Sequence, residues 1–222
     1  MALGGGKLSC LLRSRLAGHV AGNTNEPPKA VVMLASTRPI SDGEREATNT
    51  YAPGAETEFD LFVAAAQKES GVGGVGSVGG VGGAGNNFSE ERFDDNGDPN
   101  KCWIIRKYPA NDCDIFIVAS PSSEPEKRRA NSADTYGFFF DNFKPEEGAE
   151  ILLTTSQIYV PYQHLEAVRA IAIPYRINLD TIGFIPEWGG ALQGMNEPSN
   201  YLQEIRSTVQ AIDRFLTIYR SE

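Results

Sequence analysis

Short apolar, β-rich runs alternate along this chain with stretches whose apolar residues recur at helical spacing, and that alternation restricts the fold more than any other feature. A run that is apolar throughout suits a strand covered on both faces, and strand–helix–strand order builds a parallel sheet with helices packed against it. Ala30 to Ala35 reads AVVMLA, Asp114 to Ala119 reads DIFIVA and Glu150 to Thr155 reads EILLTT; Trp103 to Tyr108 and Asn178 to Ile185 are two further strand candidates. Helices are expected over Glu56 to Glu69, from near Arg128 to Phe143, over Tyr162 to Ile171 and from Ser199 onward. The pattern predicts an α/β fold: one three-layer, Rossmann-like domain of about five largely parallel strands flanked by helices. A chain of 222 residues fits one such domain, and 41% hydrophobic residues can fill its core. In the last helix Leu202, Ile205, Val209, Ile212, Leu216 and Tyr219 form a stripe in alternating steps of three and four. The expectation is that it packs on the domain's own sheet; the other reading is a homodimer seam through this C-terminal helix.

Two segments interrupt the pattern. Before Glu26 there is no acidic residue, while Lys7, Arg13 and Arg15 surround Leu8, Leu11, Leu12 and Leu16. A first helix from Leu8 to Val20, ending at the Gly22-Asn23 turn, explains residues 1–25 as a helix or extension; an organellar import peptide is the other reading. Residues 71–85 are a valine-glycine repeat that is costly to order and buries little, so 71–101 is read as a flexible insertion. The repeat spells GxGxxG at Gly71, Gly73, Gly76 and again at Gly74, Gly76, Gly79, but without a strand before it and a helix after it. Asp94, Asn96 and Asp98 imitate the start of a calcium loop, yet Ile105 stands where the closing Glu belongs, and a polar turn explains them better.

Charge and composition exclude whole classes of function. Twenty Lys and Arg against 29 Asp and Glu give −9, which argues against bulk attraction to nucleic acid. No apolar run is long enough to span a bilayer, so a soluble chain is expected. Cys10, Cys102 and Cys113 have neither metal-ligand nor CxxC spacing, which suits a reduced, cytoplasmic protein, and two histidines give zinc no support. No GxSxG occurs, and nothing in the sequence names a cofactor.

What remains is chemistry at strand ends, where parallel α/β sheets bind ligands. Thr37 and Arg38 follow the first run, Ser120 and Ser122 the DIFIVA run, and Thr155 and Ser156 the EILLTT run, with Arg128 and Asn131 at a helix start. Hydroxyls donate to phosphoryl or carboxylate oxygens without adding charge, and Arg grips them in bidentate fashion. These eight residues, with Tyr159, are the candidate binding set for a small-molecule anion. Arg38 has a competing explanation in a surface ion pair with Glu44 or Glu46. His164, Glu44 and Asp134 are the candidate acids and bases; Glu56 and Glu58 could flank the same site, although a solvated helix start explains Glu58 and Asp60 more simply. Transfer or hydrolysis at a phosphorylated or nucleotide-like ligand is the expected reaction; a non-enzymatic metabolite sensor or protein-interaction module is the alternative.

The order of an apolar first strand with a hydroxyl and Arg at its end, RRANSADTY (Arg128 to Tyr136) and ILLTTSQIYVPYQHLEAVRAI (Ile151 to Ile171) resembles the YdcF/SanA-like family of Rossmann-like proteins. Thr155 and Ser156 match that family's Thr-Ser pair, Tyr159 falls where it places a His, and Tyr162 falls near its Arg. Its acidic-Asn pair has only Thr135 and Tyr136 as counterparts. The resemblance implies a three-layer α/β fold and a pocket at the strand ends for nucleotide-like or envelope-related ligands.

Overall fold

Among the described residues seven strands form one mixed sheet. The structure is a computed structural model and describes residues 1–5, 9–69, 87–95, 97–109, 113–184 and 197–220. Its strands are β1 (Ala2–Leu3), β2 (Ala30–Ser36), β3 (Ser89–Phe93), β4 (Trp103–Tyr108), β5 (Asp114–Ser120), β6 (Glu150–Ser156) and β7 (Asn178–Phe184), side by side in the order β3-β4-β5-β2-β1-β6-β7. The helices are α1 (Ser9–Gly22), α2 (Asp42–Asn49), α3 (Glu58–Glu69), α4 (Ser132–Phe143), α5 (Val160–Ala167), α6 (Ile173–Tyr175) and α7 (Pro198–Arg220). The five expected strands are present within a residue or so of their predicted bounds. Both GxGxxG matches and the whole glycine repeat lie outside the described residues.

Only β4 runs against its neighbours. The connection from Tyr108 to Asp114 is too short for a crossover between parallel strands, which takes a dozen residues or more, so the two strands must form a hairpin. β3 pairs with β4 as a polar edge strand, Ser-Glu-Glu-Arg-Phe, within the segment expected to be a flexible insertion. Its charges suit an edge, because they discourage pairing with another chain. Beside it the Asp94 carboxylate accepts from the Gly97 N–H at 2.9 Å, as a polar turn requires.

Alternation within the strands divides the core into two layers. Val31, Met33 and Ala35 of β2 and Ile115, Ile117 and Ala119 of β5 face Phe59, Phe62 and Ala66 of α3 and Ala17 and Ala21 of α1. Val32 and Leu34, with Val118 and Leu153, face Tyr136, Phe139 and Phe140 of α4 and Ala167 and Ile171 of the α5 segment. A buried strand clothed on both faces explains why β2 reads as a continuous apolar run.

The amino-terminal segment is central. Ala2 and Leu3 pair in parallel with Met33 and Leu34, and Ala2 also pairs with Thr154 of β6. α1 follows and buries Cys10, Leu12, Leu16 and Ala17. The helix expected from Leu8 to Val20 is therefore present, as part of the sheet's packing, and Arg13 is buried beneath it.

Three helical expectations are corrected. α4 starts at Ser132 and not near Arg128, because Asn131 caps it: the Asn131 Oδ1 accepts from the Asp134 N–H at 3.1 Å, and Asp134 returns a bond to the Asn131 N–H at 2.8 Å. The helix expected from Tyr162 continues from a 3-10 turn at Gln157–Tyr159 to Tyr175, with a π turn at Val168–Ala172. That turn precedes Pro174, whose missing N–H deprives the Ala170 carbonyl of its ordinary donor. Finally, the apolar stripe of α7 is not packed on the sheet; Leu202, Ile205, Val209, Ile212 and Leu216 are exposed.

Candidate functional site

An open pocket of about 950 Å³ lies at the carboxyl ends of β1, β2 and β5. Gly4 and Gly5 line it after β1, Ser36 and Arg38 after β2, and Arg128 to Ser132 after β5, with Glu44, Glu58, Asn100, Thr135, Tyr136 and Tyr162 completing the walls. Loops converge at this end because every parallel strand finishes there.

The floor is a buried carboxylate. Glu58, 6% exposed, accepts from the Ser36 N–H at 3.0 Å and from the Ser36 hydroxyl at 2.6 Å. Two backbone bonds bring it there: the Glu58 N–H donates to the Arg38 carbonyl at 3.1 Å and the Ile40 N–H to the Glu56 carbonyl at 2.9 Å. A solvated helix start was the expectation for Glu58; the structure buries it against β2. Gly4 is required beside it, since a Cβ at that position would stand 2.9 Å from both the Glu58 Oε1 and the Leu34 carbonyl oxygen. Behind Gly5 lies Arg13, which donates to the Leu3 and Gly4 carbonyls and, at 3.2 Å, to the Ser156 hydroxyl. Arg13 thereby ties the ends of β1 and β6 together, and burial lowers its affinity for a proton.

Three guanidinium groups (Arg38, Arg128, Arg129) and two carboxylates (Glu44, Glu58) line the pocket, and Asp134 and Glu124 stand against Arg128 just outside it, so most of the pocket's positive charge is already matched. The guanidinium groups are not equivalent. Arg38 is bidentate to Glu44, with both N···O distances at 3.0 Å, and its Nε is 3.8 Å from Glu58. The Arg38 contact, with help from Ser41, holds Glu44 near a pKa of about 2. Arg128 is held by Asp134 on one side and Glu124 on the other, both raising its pKa further. Arg129 is exposed and has no carboxylate partner among the described residues. It is the guanidinium with full bonding capacity, and α4 begins three residues later with Asn131 and Ser132 on the pocket wall, so the positive end of the helix dipole borders the same space.

Of the expected set, Arg38, Glu44, Arg128 and Asn131 line this pocket and the rest do not. Thr37 donates to the Pro99 carbonyl, Ser120 to the Thr135 hydroxyl at 2.9 Å, and the Ser122 hydroxyl accepts from the Glu124 N–H at 3.1 Å. These hydroxyls spend their bonds on turns and caps. Thr155 and Ser156 are buried at the end of β6, Ser156 against Arg13 and Thr155 with no side-chain partner among the described residues. Tyr159 sits beside the Arg13 guanidinium, 5.5 Å from ring centroid to Cζ. The candidate bases fare no better. His164 lies on α5 against β7, its Nδ1 3.0 Å from the Thr181 hydroxyl, and Asp134 is occupied by Arg128 and the cap. Glu44 reaches the pocket already paired. Sequence reasoning singled out neither Gly4 nor Gly5, preferred a solvated helix start for Glu58, and named Tyr136 and Tyr162 only as counterparts of family residues; the one available signal for the two glycines was a glycine run immediately after Ala2-Leu3.

No helix among the described residues is long and apolar enough to cross a membrane. No protein-family model matches the chain, and no solved structure matches it. Proteins of Mycobacterium tuberculosis and Mycobacterium bovis, described only as uncharacterised, are 33% identical to it over 217 residues. The alignment covers 95% of this chain and 57% of theirs, so the chain spans little more than half the length of these relatives.

Proposed function

We propose that the pocket binds a phosphorylated or nucleotide-like small molecule, with its anionic group at Arg129 and the start of α4. The observation that carries this reading is an exposed guanidinium, Arg129, on the pocket wall with no carboxylate partner among the described residues, at the sheet end where α/β proteins hold their ligands. Arg38 is pre-oriented by Glu44, so its remaining N–H capacity is presented at little entropic cost, whereas Arg128 spends its N–H groups on Glu124, Ser123, Asp134 and the Arg129 carbonyl and only frames the site. Tyr162, half-buried on the pocket wall, offers ring surface for a base or sugar. The likeness to the YdcF/SanA-like family belongs to the same proposal. Turnover by transfer or hydrolysis is a second reading, favoured by one feature: Glu58, a buried carboxylate on the pocket floor beside Arg38.

Thermal unfolding with inorganic phosphate, nucleoside diphosphates and sugar phosphates tests the binding reading. A ligand at a hundred times its dissociation constant adds about 2.7 kcal/mol, which raises the midpoint by about 5–10 °C for a chain this size. Arg129→Ala should weaken a hit about tenfold or more, the worth of charge-assisted hydrogen bonds, without lowering the midpoint of the free protein. No stabilisation by any compound, or a hit indifferent to Arg129→Ala, refutes the site. Product analysis with Glu58→Gln then separates binding from turnover.

A further inference from the structure

The longest helix among the described residues, α7 with 23 residues, turns its apolar side outward. Leu202, Ile205 and Val209 of α7 are 67%, 60% and 60% exposed, and Ile212 and Leu216 continue the stripe. Against α5 and the turn at Gln157–Tyr159 the helix sets Glu204 and Ala211 instead, with half-buried Ser207, Thr208 and Phe215. An amphipathic helix ordinarily buries its apolar stripe, and a continuous exposed one marks an interaction surface. From Leu202 to Leu216 the stripe runs about 21 Å.

We propose that this stripe is the seam of a two-fold dimer in which α7 pairs antiparallel with α7 of a second copy. The flanking charges select that occupant and that direction. Arg206 and Asp213 are exposed on the edge of the stripe away from the domain, and neither has an ion-pair partner among the described residues. In an antiparallel pair the layer at Val209 meets the partner's Ile212, and Arg206 comes alongside the partner's Asp213; the two-fold axis repeats the ion pair. A parallel pair would set these charges against Tyr201 and Thr208, which offer no counter-charge. The seam is short beside standard interfaces of about 800 Å² per partner, so the dimer is reversible, with a dissociation constant in the micromolar range.

Sedimentation velocity of the full chain from about 1 µM to about 500 µM tests this, those limits bracketing a micromolar constant. The expected result is a concentration-dependent monomer–dimer equilibrium that Val209→Glu abolishes while circular dichroism and the thermal midpoint stay unchanged. Arg206→Asp should weaken association about fivefold to tenfold at low ionic strength, and Arg206→Asp combined with Asp213→Arg should restore it. A monomer throughout overturns the proposal, as does assembly beyond two copies, because a two-fold seam closes on itself. A double variant no better than Arg206→Asp overturns the antiparallel register.

Discussion

Asp134→Asn separates a structural carboxylate from a catalytic one. The Asp134 side chain accepts from the Ser123 N–H at 3.2 Å, from the Asn131 N–H at 2.8 Å and from both Arg128 amino groups. Burial opposes its ionisation, yet the Arg128 guanidinium, Ser123 and the Asn131 N–H outweigh it and bring the pKa from 3.8 to about 2. That displacement is worth about 2.4 kcal/mol at full strength. Arg128 is 32% exposed and water screens the pair, so a contribution of about 1 kcal/mol is expected. Because the folded pKa lies below the unfolded one, the contribution is complete above about pH 5 and is lost as pH falls through 4 toward 2. Urea unfolding of both proteins, extrapolated linearly, should show the variant weaker by about 1 kcal/mol near pH 7 and by about half of that near pH 3. An equal or greater loss near pH 3 would refute the reasoning, since the charge of Asp134 would then not be what stabilises the cap.

Other substitutions test the packing that frames the pocket. Gly137 lies inside α4 with open space at its missing Cβ, so Gly137→Ala should raise stability by about 0.5–1 kcal/mol in the same assay. Gly183→Ala should do the reverse, by about 1–3 kcal/mol or more, because its Cβ would stand 2.6 Å from the backbone nitrogen of Gln157. Phe140, fully buried between β2 and the α5 segment, should cost about 3–5 kcal/mol when replaced by Ala and lower the thermal midpoint by several degrees.

Periodicity was a good guide wherever an element was long enough to show it. AVVMLA, DIFIVA and EILLTT are apolar because both faces of their strands are covered, and that cause lies in the sequence itself. β1 has two residues and β3 alternates no apolar face, so neither carries a period to detect. The site was less legible. Arg38 and Arg128 were found because arginines at strand ends are conspicuous, but their pairing with Glu44 and Asp134 depends on how α2 and α4 fold back. Glu58 was misjudged because an acidic residue at a helix start is ordinarily solvated; here the bridge between Pro39 and Thr57 draws that start onto β2. His164 stood out by rarity, and rarity carries no information about position.

By itself the sequence determined the fold class, the places of five strands, and a charge that leaves no bulk attraction for nucleic acid. Those properties are local or additive, so they are readable without knowing which segments meet. Tertiary structure alone decided that Ala2-Leu3 enters the middle of the sheet, that Gly4 must yield space to Glu58, and that Arg129, of the three arginines on the pocket wall, is the one with no carboxylate partner among the described residues. It also decided which side of α7 faces inward. A helical stripe records that one face is apolar; the direction of that face depends on the chain path, and here α7 meets α5 through Glu204 and Ala211 and leaves the leucines and isoleucines outside.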